Sequence, residues 1–236
     1  MRELISFIFS VIRKTPSTDI VQFIYSFGRV LGETFLPLII FGTALGVSIS
    51  IEFILALKVI GGEAISSYFI TITVLREIGP MIAGSMVVIR SGTRITAEIS
   101  SMKDRGILIS LEVFPVDSFS YIALPRFWAI VFATVVFLPL SILLCFASAY
   151  FLVTYAYGVS SGMFWDGVIS AGSTRDIFVG FIKCFIIGLS NATFSVFYGW
   201  NAKEGAEGLS EAVKKSINKA VVLGIVINYI LSVIFF

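Results

Sequence analysis

The chain has 236 residues, of which 57% are hydrophobic and only 14% charged, and its mean hydropathy is +0.99. A soluble domain carries roughly 25% charged residues, so most of this chain belongs in a bilayer, and a net charge of +2 is too small to point to nucleic acid. The sequence has no His, which removes the usual general base and the commonest metal ligand. Cys145 and Cys184 each sit inside an apolar run, where neither a disulfide framework nor a thiolate metal site is expected. An enzyme reading therefore has few side chains to stand on.

Residues 1–30 open with Leu4, Ile5, Ile8, Phe9 and Ile12 at helical spacing, with Arg2, Glu3, Ser6 and Arg13 toward the other side. This pattern predicts a helix lying in the membrane interface, with a frayed extension as the alternative. No small-residue cleavage site follows, so the segment is not read as a signal peptide. Five stretches then reach the length of about 20 mostly apolar residues that a membrane-crossing helix needs: residues 34–57, 68–89, 127–155, 177–200 and 217–236. The expected fold is an all-α membrane protein, a single domain of five spans.

In the first span, Gly42-x-x-x-Gly46 allows close helix approach. Ile49, Phe53 and Leu57 recur at i, i+4 and i+8 and form one face; spacing alone makes it a packing or lipid-facing surface. The second span carries Arg76 and Glu77, about 12 Å along the helix at 1.5 Å per residue. A charge at the membrane centre costs about 2.5–3.5 kcal/mol on insertion scales. Gly79 and Pro80 follow. Proline has no N–H, so the carbonyl of Arg76 loses its helical partner and the helix can kink. Charge and break within one turn mark either the wall of a wet cavity or a structural ion pair, with Glu52 as the partner of Arg76.

Residues 93–113 are polar and helix-compatible, with Ile95, Ile99, Met102 and Ile109 as a stripe and Arg94, Glu98, Lys103 and Asp104 as the polar positions. A soluble motor or a solvated membrane surface would suit such a helix equally. Further on, Trp128, Trp165 and Trp200 fall at or near span ends, as interfacial anchors do. Asn191 and Asn228, inside spans four and five, are expected to hydrogen-bond between helices.

Loop charges orient the set. Residues 90–126 carry Arg90, Arg94, Lys103, Arg105 and Arg126, and the segment between spans four and five carries Lys203, Lys214, Lys215 and Lys219. The other two loops, 58–67 and 158–176, hold one basic residue each. The positive-inside bias then places the N-terminus in the cytoplasm and the C-terminus on the far side. No internal repeat is visible and no G-x-x-x-x-G-K-[ST] occurs, so ATP could act only through a partner. An ion-coupled secondary transporter using the intramembrane charges Glu52, Arg76 and Glu77 is the alternative.

LREIGPMIAG, RSGTRITAEISSMK and LEVFPVDSFSYIALPRFWA closely resemble, in order and spacing, the signature of the MlaE-type permease family. FGTALGVSISIEF and GAEGLSEAVKKSINKAVV also fit it, so the resemblance covers nearly the whole chain. It implies a homodimeric permease of a bacterial inner membrane, with an interfacial N-terminal helix and a cytoplasmic coupling helix at 93–113. Cytoplasmic ABC ATPase subunits would bind the ATP, leaving no cofactor in this chain. Periplasmic MCE-domain lipid-binding proteins would exchange lipids, usually phospholipids, with it. By position, the resemblance puts Arg76, Glu77 and Glu52 near a lipid cavity and Ile49, Phe53 and Leu57 against acyl chains. It puts Arg94, Glu98, Met102 and Lys103 on the surface that couples to the ATPase. Two departures stand out: Glu52 replaces a common Gln, and Asp117-Ser118 replaces a usual Asp-Pro, which would leave that turn looser.

Overall fold

A computed structural model of the chain describes residues 2–15, 18–59, 61–62, 65–113 and 117–236. Among these the regular structure is helical, with no strand. The helices are α1 (Arg2–Lys14), α2 (Ile20–Lys58), α3 (Ser66–Asp104), α4 (Ile107–Val113), α5 (Phe119–Ala156), α6 (Ser161–Ala171), α7 (Thr174–Trp200) and α8 (Gly205–Phe235). Five of them, α2, α3, α5, α7 and α8, are long and apolar enough to cross a membrane. The chain is an all-α, multi-pass membrane protein.

The helices outrun the apolar runs that announced them. α2 starts at Ile20, so residues 20–30 are continuous with the first long helix. Asp19 supplies its cap, with Oδ1 accepting the Val21 N–H at 2.9 Å. The polar helix expected over 93–113 is two pieces. Its first half continues α3 as far as Asp104. There Gly106, at φ +71°, takes the left-handed conformation that ends helices, and α4 begins one residue later. The loop expected at 158–176 contains α6, whose Ser160 accepts the Met163 N–H.

α3 and α5 each contain two π-turns, at Val74–Ile78 and Val88–Gly92 and at Phe119–Ala123 and Leu152–Ala156. A π-turn accommodates one extra residue and commonly accompanies a kink. The first of the four directly precedes Gly79 and Pro80.

The chain forms two compact units. One comprises Met1–Thr34, Gly84–Val135 and Phe185–Ile227. Here α1 is held by Phe7, whose ring meets Phe119 at 5.5 Å and Phe197 at 5.6 Å, edge to face. Asn191 donates to the Gly84 carbonyl at 2.9 Å, the interhelical bond expected of it. The Asp117-Ser118 turn is fastened: Asp117 accepts from Lys14 at 2.7 Å, and buried Ser118 donates to the Leu108 carbonyl at 2.9 Å. Partial burial disfavours the Asp117 carboxylate, but hydrogen bonds from Lys14 and Ser120 outweigh it and hold the carboxyl below its ordinary pKa.

The other unit comprises Phe35–Ala83, Val136–Cys184 and Asn228–Phe236. Its α2–α5 contact runs through the two glycines of Gly42-x-x-x-Gly46. Cys145 Sγ lies 3.4 Å from the Gly42 carbonyl oxygen, and a Cβ on Gly46 would stand 2.7 Å from the Cys145 carbonyl. α6 seats Gly167 on Ser67 of α3 in the same way. Gly46→Ala is therefore expected to destabilise the protein by about 1–3 kcal/mol through overpacking. Gly28→Ala, where a Cβ meets nothing within 4 Å, should leave stability unchanged or slightly raised. Thermal unfolding in one detergent checks both.

Candidate functional site

Four charges of the second unit, Arg76, Glu77, Asp176 and Lys183, collect at the break in α3. Pro80 cannot offer an N–H to the carbonyl of Arg76 four residues earlier. In the π-turn before it, the Gly79 N–H reaches back to the Val74 carbonyl instead. Lys183 of α7 meets the Arg76 oxygen, its Nζ donating across 2.6 Å. This lysine is wholly buried, at 0% exposure. Its ammonium also lies 3.4 Å from Glu77 Oε1 and donates to Ser232 Oγ of α8.

Glu77 is held from α8 as well. Asn228 Nδ2 donates to its Oε2 at 2.7 Å, again an interhelical bond of the kind expected, and the Ser232 hydroxyl donates to Oε1. Arg76 pairs with Asp176 at the start of α7, where Nε and Oδ2 lie 3.3 Å apart. Its guanidinium stands 4.1 Å from the centre of the Phe236 ring, a cation–π contact. Two cations and two carboxylates thus share one site, which lets charges exist where an isolated one would cost several kcal/mol. Arg76 Nε and Asp176 Oδ2 face one another in their ion pair, and Asn228 Oδ1 is buried with no hydrogen-bond partner among the described residues.

Glu52 is not part of it. The side chain is exposed, and the ion pair considered between Glu52 and Arg76 is replaced by Arg76–Asp176. Asp176 is buried two residues inside α7, where its carboxylate and the N-terminal dipole of that helix reinforce one another. Ile49, Phe53 and Leu57 do not share one environment: Ile49 is buried, Phe53 is half-buried and stacks on Phe69 at 6.1 Å, and Leu57 is half-buried. An apolar groove of about 630 Å³ lies instead between α2 and α5, with Thr43, Val47, Ala147, Phe151 and Leu152 among its lining.

The first unit has a separate network around Glu98. Its Oε1 accepts from Arg126 at 2.7 Å and its Oε2 from Arg94 at 2.8 Å, with Arg29 at 3.6 Å. Arg94 also pairs with Glu33. One carboxylate therefore joins α2, α3 and α5. Lys103 donates to the Ala202 carbonyl at 2.9 Å, and Met102 is half-buried. The open apolar residues of this region lie beyond Gly106, on α4, where Ile109 is 70% and Val113 82% exposed.

Lys183 and Asp176 escaped the sequence reading. The signal for Lys183 was present, since it is a lone cation deep in an apolar run, which is a functional position by default. Asp176 stood at a span edge and carried no such mark.

Two outcomes follow from these contacts. Arg76→Gln strands a buried carboxylate and should cost about 3–5 kcal/mol, whereas Arg76→Gln with Asp176→Asn should return to within about 1 kcal/mol of the parent. Glu98→Lys, which sets a cation among three arginines, should lower stability by about 3 kcal/mol, well beyond Glu98→Gln. Denaturation in detergent measures both series.

Comparison with known proteins agrees with this architecture. Residues 23–234 match the family model described as permease MlaE. The chain is 29% identical over 210 residues to the Haemophilus influenzae protein named intermembrane phospholipid transport system permease protein MlaE, covering 88% of this chain and 80% of that one. A probable ABC transporter permease protein of Rickettsia bellii is 25% identical over 171 residues, 71% of this chain and 64% of the relative. The chloroplastic protein trigalactosyldiacylglycerol 1 of Arabidopsis thaliana is 26% identical over 198 residues, 82% of this chain and 55% of its own length. With nine-tenths of its length inside one family model, five apolar helices and the family's motif at the α3 break, the chain belongs to the MlaE permease family.

Proposed function

We propose that the chain is the membrane subunit of an ATP-driven transporter that moves phospholipid between a bacterial inner membrane and a periplasmic MCE-domain partner. The observation that carries this reading is the match over residues 23–234, joined to a relative named for intermembrane phospholipid transport. Two copies form the working unit, with the N-terminus and the basic segments in the cytoplasm. A separate ABC ATPase binds the nucleotide, so this chain needs no cofactor of its own.

In this mechanism Arg76 and Glu77 serve the lipid headgroup, supported by the partial exposure of both side chains at the α3 break. Acyl chains take an apolar surface. The Ile49, Phe53 and Leu57 face of α2 is one such surface, and the uncharged groove between α2 and α5 is another. Glu52, exposed on α2, meets the lipid outside the charged cluster. Arg94, Glu98, Met102 and Lys103 form the coupling region. Since Glu98 is bonded to both Arg94 and Arg126, motion imposed on the end of α3 passes directly to α5. The exposed Ile109 and Val113 of α4 offer the ATPase an apolar foothold.

Purification from native membranes in mild detergent should recover an ABC ATPase, an MCE-domain protein and phospholipid together with this chain. Reconstituted into vesicles, the complex should transfer phospholipid when ATP is present and continue when ion gradients are collapsed. Transfer that follows an ion gradient without ATP would replace this reading with ion-coupled transport through the α3 charges.

A further inference from the structure

We propose that Lys183 is a positioning residue: its ammonium replaces the backbone N–H that Pro80 withholds from the Arg76 carbonyl, and thereby holds α3 broken where Arg76 and Glu77 project. That this matters for transport rests on the permease reading above; the contact itself does not.

Distances and burial rank the partners of Lys183. The Ser232 hydroxyl and the Arg76 carbonyl, at 2.6 Å, are the near acceptors, and the Glu77 carboxylate lies farther off at 3.4 Å. Glu77 does not depend on the lysine, because Asn228 and Ser232 already serve both of its oxygens. The lysine side chain is 0% exposed, so its ammonium meets the carbonyl out of contact with solvent. A buried carbonyl left unmet costs about as much as a lost hydrogen bond, and in a membrane-spanning segment solvent cannot repair it.

The neighbourhood treats the break as a built feature. Ser141 of α5 donates to the Gly79 carbonyl at 3.0 Å, so a second oxygen at the break also takes a side-chain donor. A Cβ on Gly79 would meet Ile142 Cγ1 at 2.9 Å, showing that α5 closes against the backbone there. Lys183 completes this support from α7, and its hydrogen bond to Ser232 extends it to α8. Straightening α3 would turn Arg76 and Glu77 away from Asp176 and Asn228.

A double-mutant cycle separates this role from that of a simple counter-charge. Pro80→Ala restores an N–H at the position Lys183 serves. Lys183→Met in the parent should lower the melting temperature in detergent by about 5 °C or more, and in the Pro80→Ala background by less than half as much. Lys183→Met combined with Glu77→Gln should remain destabilised. Equal losses in the two backgrounds, full recovery through Glu77→Gln, or a Pro80→Ala protein that folds alone but not with Lys183→Met would each overturn the proposal.

Transport provides the second readout. Pro80→Ala/Lys183→Met should fold yet lose phospholipid transfer in vesicles at least about tenfold, as displaced functional groups do. Transfer at the parent rate would refute the positioning role. If the parent complex itself moved no phospholipid, the permease reading would fail, while the stability cycle would still decide what Lys183 holds.

Discussion

A peptide carbonyl inside a membrane has to be met by something, and at Arg76 the ordinary donor is missing because residue 80 is a proline. The protein supplies an ammonium group from another helix. That substitution brings a charge into an apolar setting, and the charge in turn calls for Glu77, Ser232 and Asn228 around it. Arg76 then needs an anion of its own, which Asp176 provides. The chemistry of the second unit thus unfolds from one absent N–H. Each polar group is there because its neighbour would otherwise be left uncompensated.

The first unit solves a different problem with similar means. Glu98 is shared among arginines from α2, α3 and α5, and aromatic edges fix α1 beside them. The arginines around Glu98 are partly exposed, so each of these ion pairs is worth less than it would be in a dry site.

Much of this was legible in the sequence. Apolar run length announced the five long helices, the GxxxG pair announced a close helix approach though not its partner, and Asn191 and Asn228 announced interhelical bonds by being amides in apolar runs. The break at Gly79-Pro80 could be read from residue chemistry alone. Its partners could not, since Lys183 lies 107 positions away from Arg76 and no periodicity links residues on separate helices. Helix ends were missed where a local signal outvoted hydropathy: Asp19 and Ser160 as caps, Gly106 as a stop. The Arg76–Glu52 pairing failed because it joined neighbouring spans by opposite charge, whereas Asp176 is buried beside the guanidinium and Glu52 is exposed.

The separation of these partners along the chain also sets a timetable. Glu77 is synthesised 106 residues before Lys183, an interval of roughly 5–20 s at ribosomal speed. Throughout it α3 holds a carboxylate and an unmet carbonyl with no cation to receive them. The nascent helix therefore has to wait in a hydrated or protein-lined place, either the insertion machinery or the bilayer surface, until α7 arrives. α8 comes later still, bringing Asn228 and Ser232, so the site is sealed only after α8 has followed α7. Membrane insertion of this protein is in that sense a delayed closure, and its vulnerable period lasts until α8 is in place.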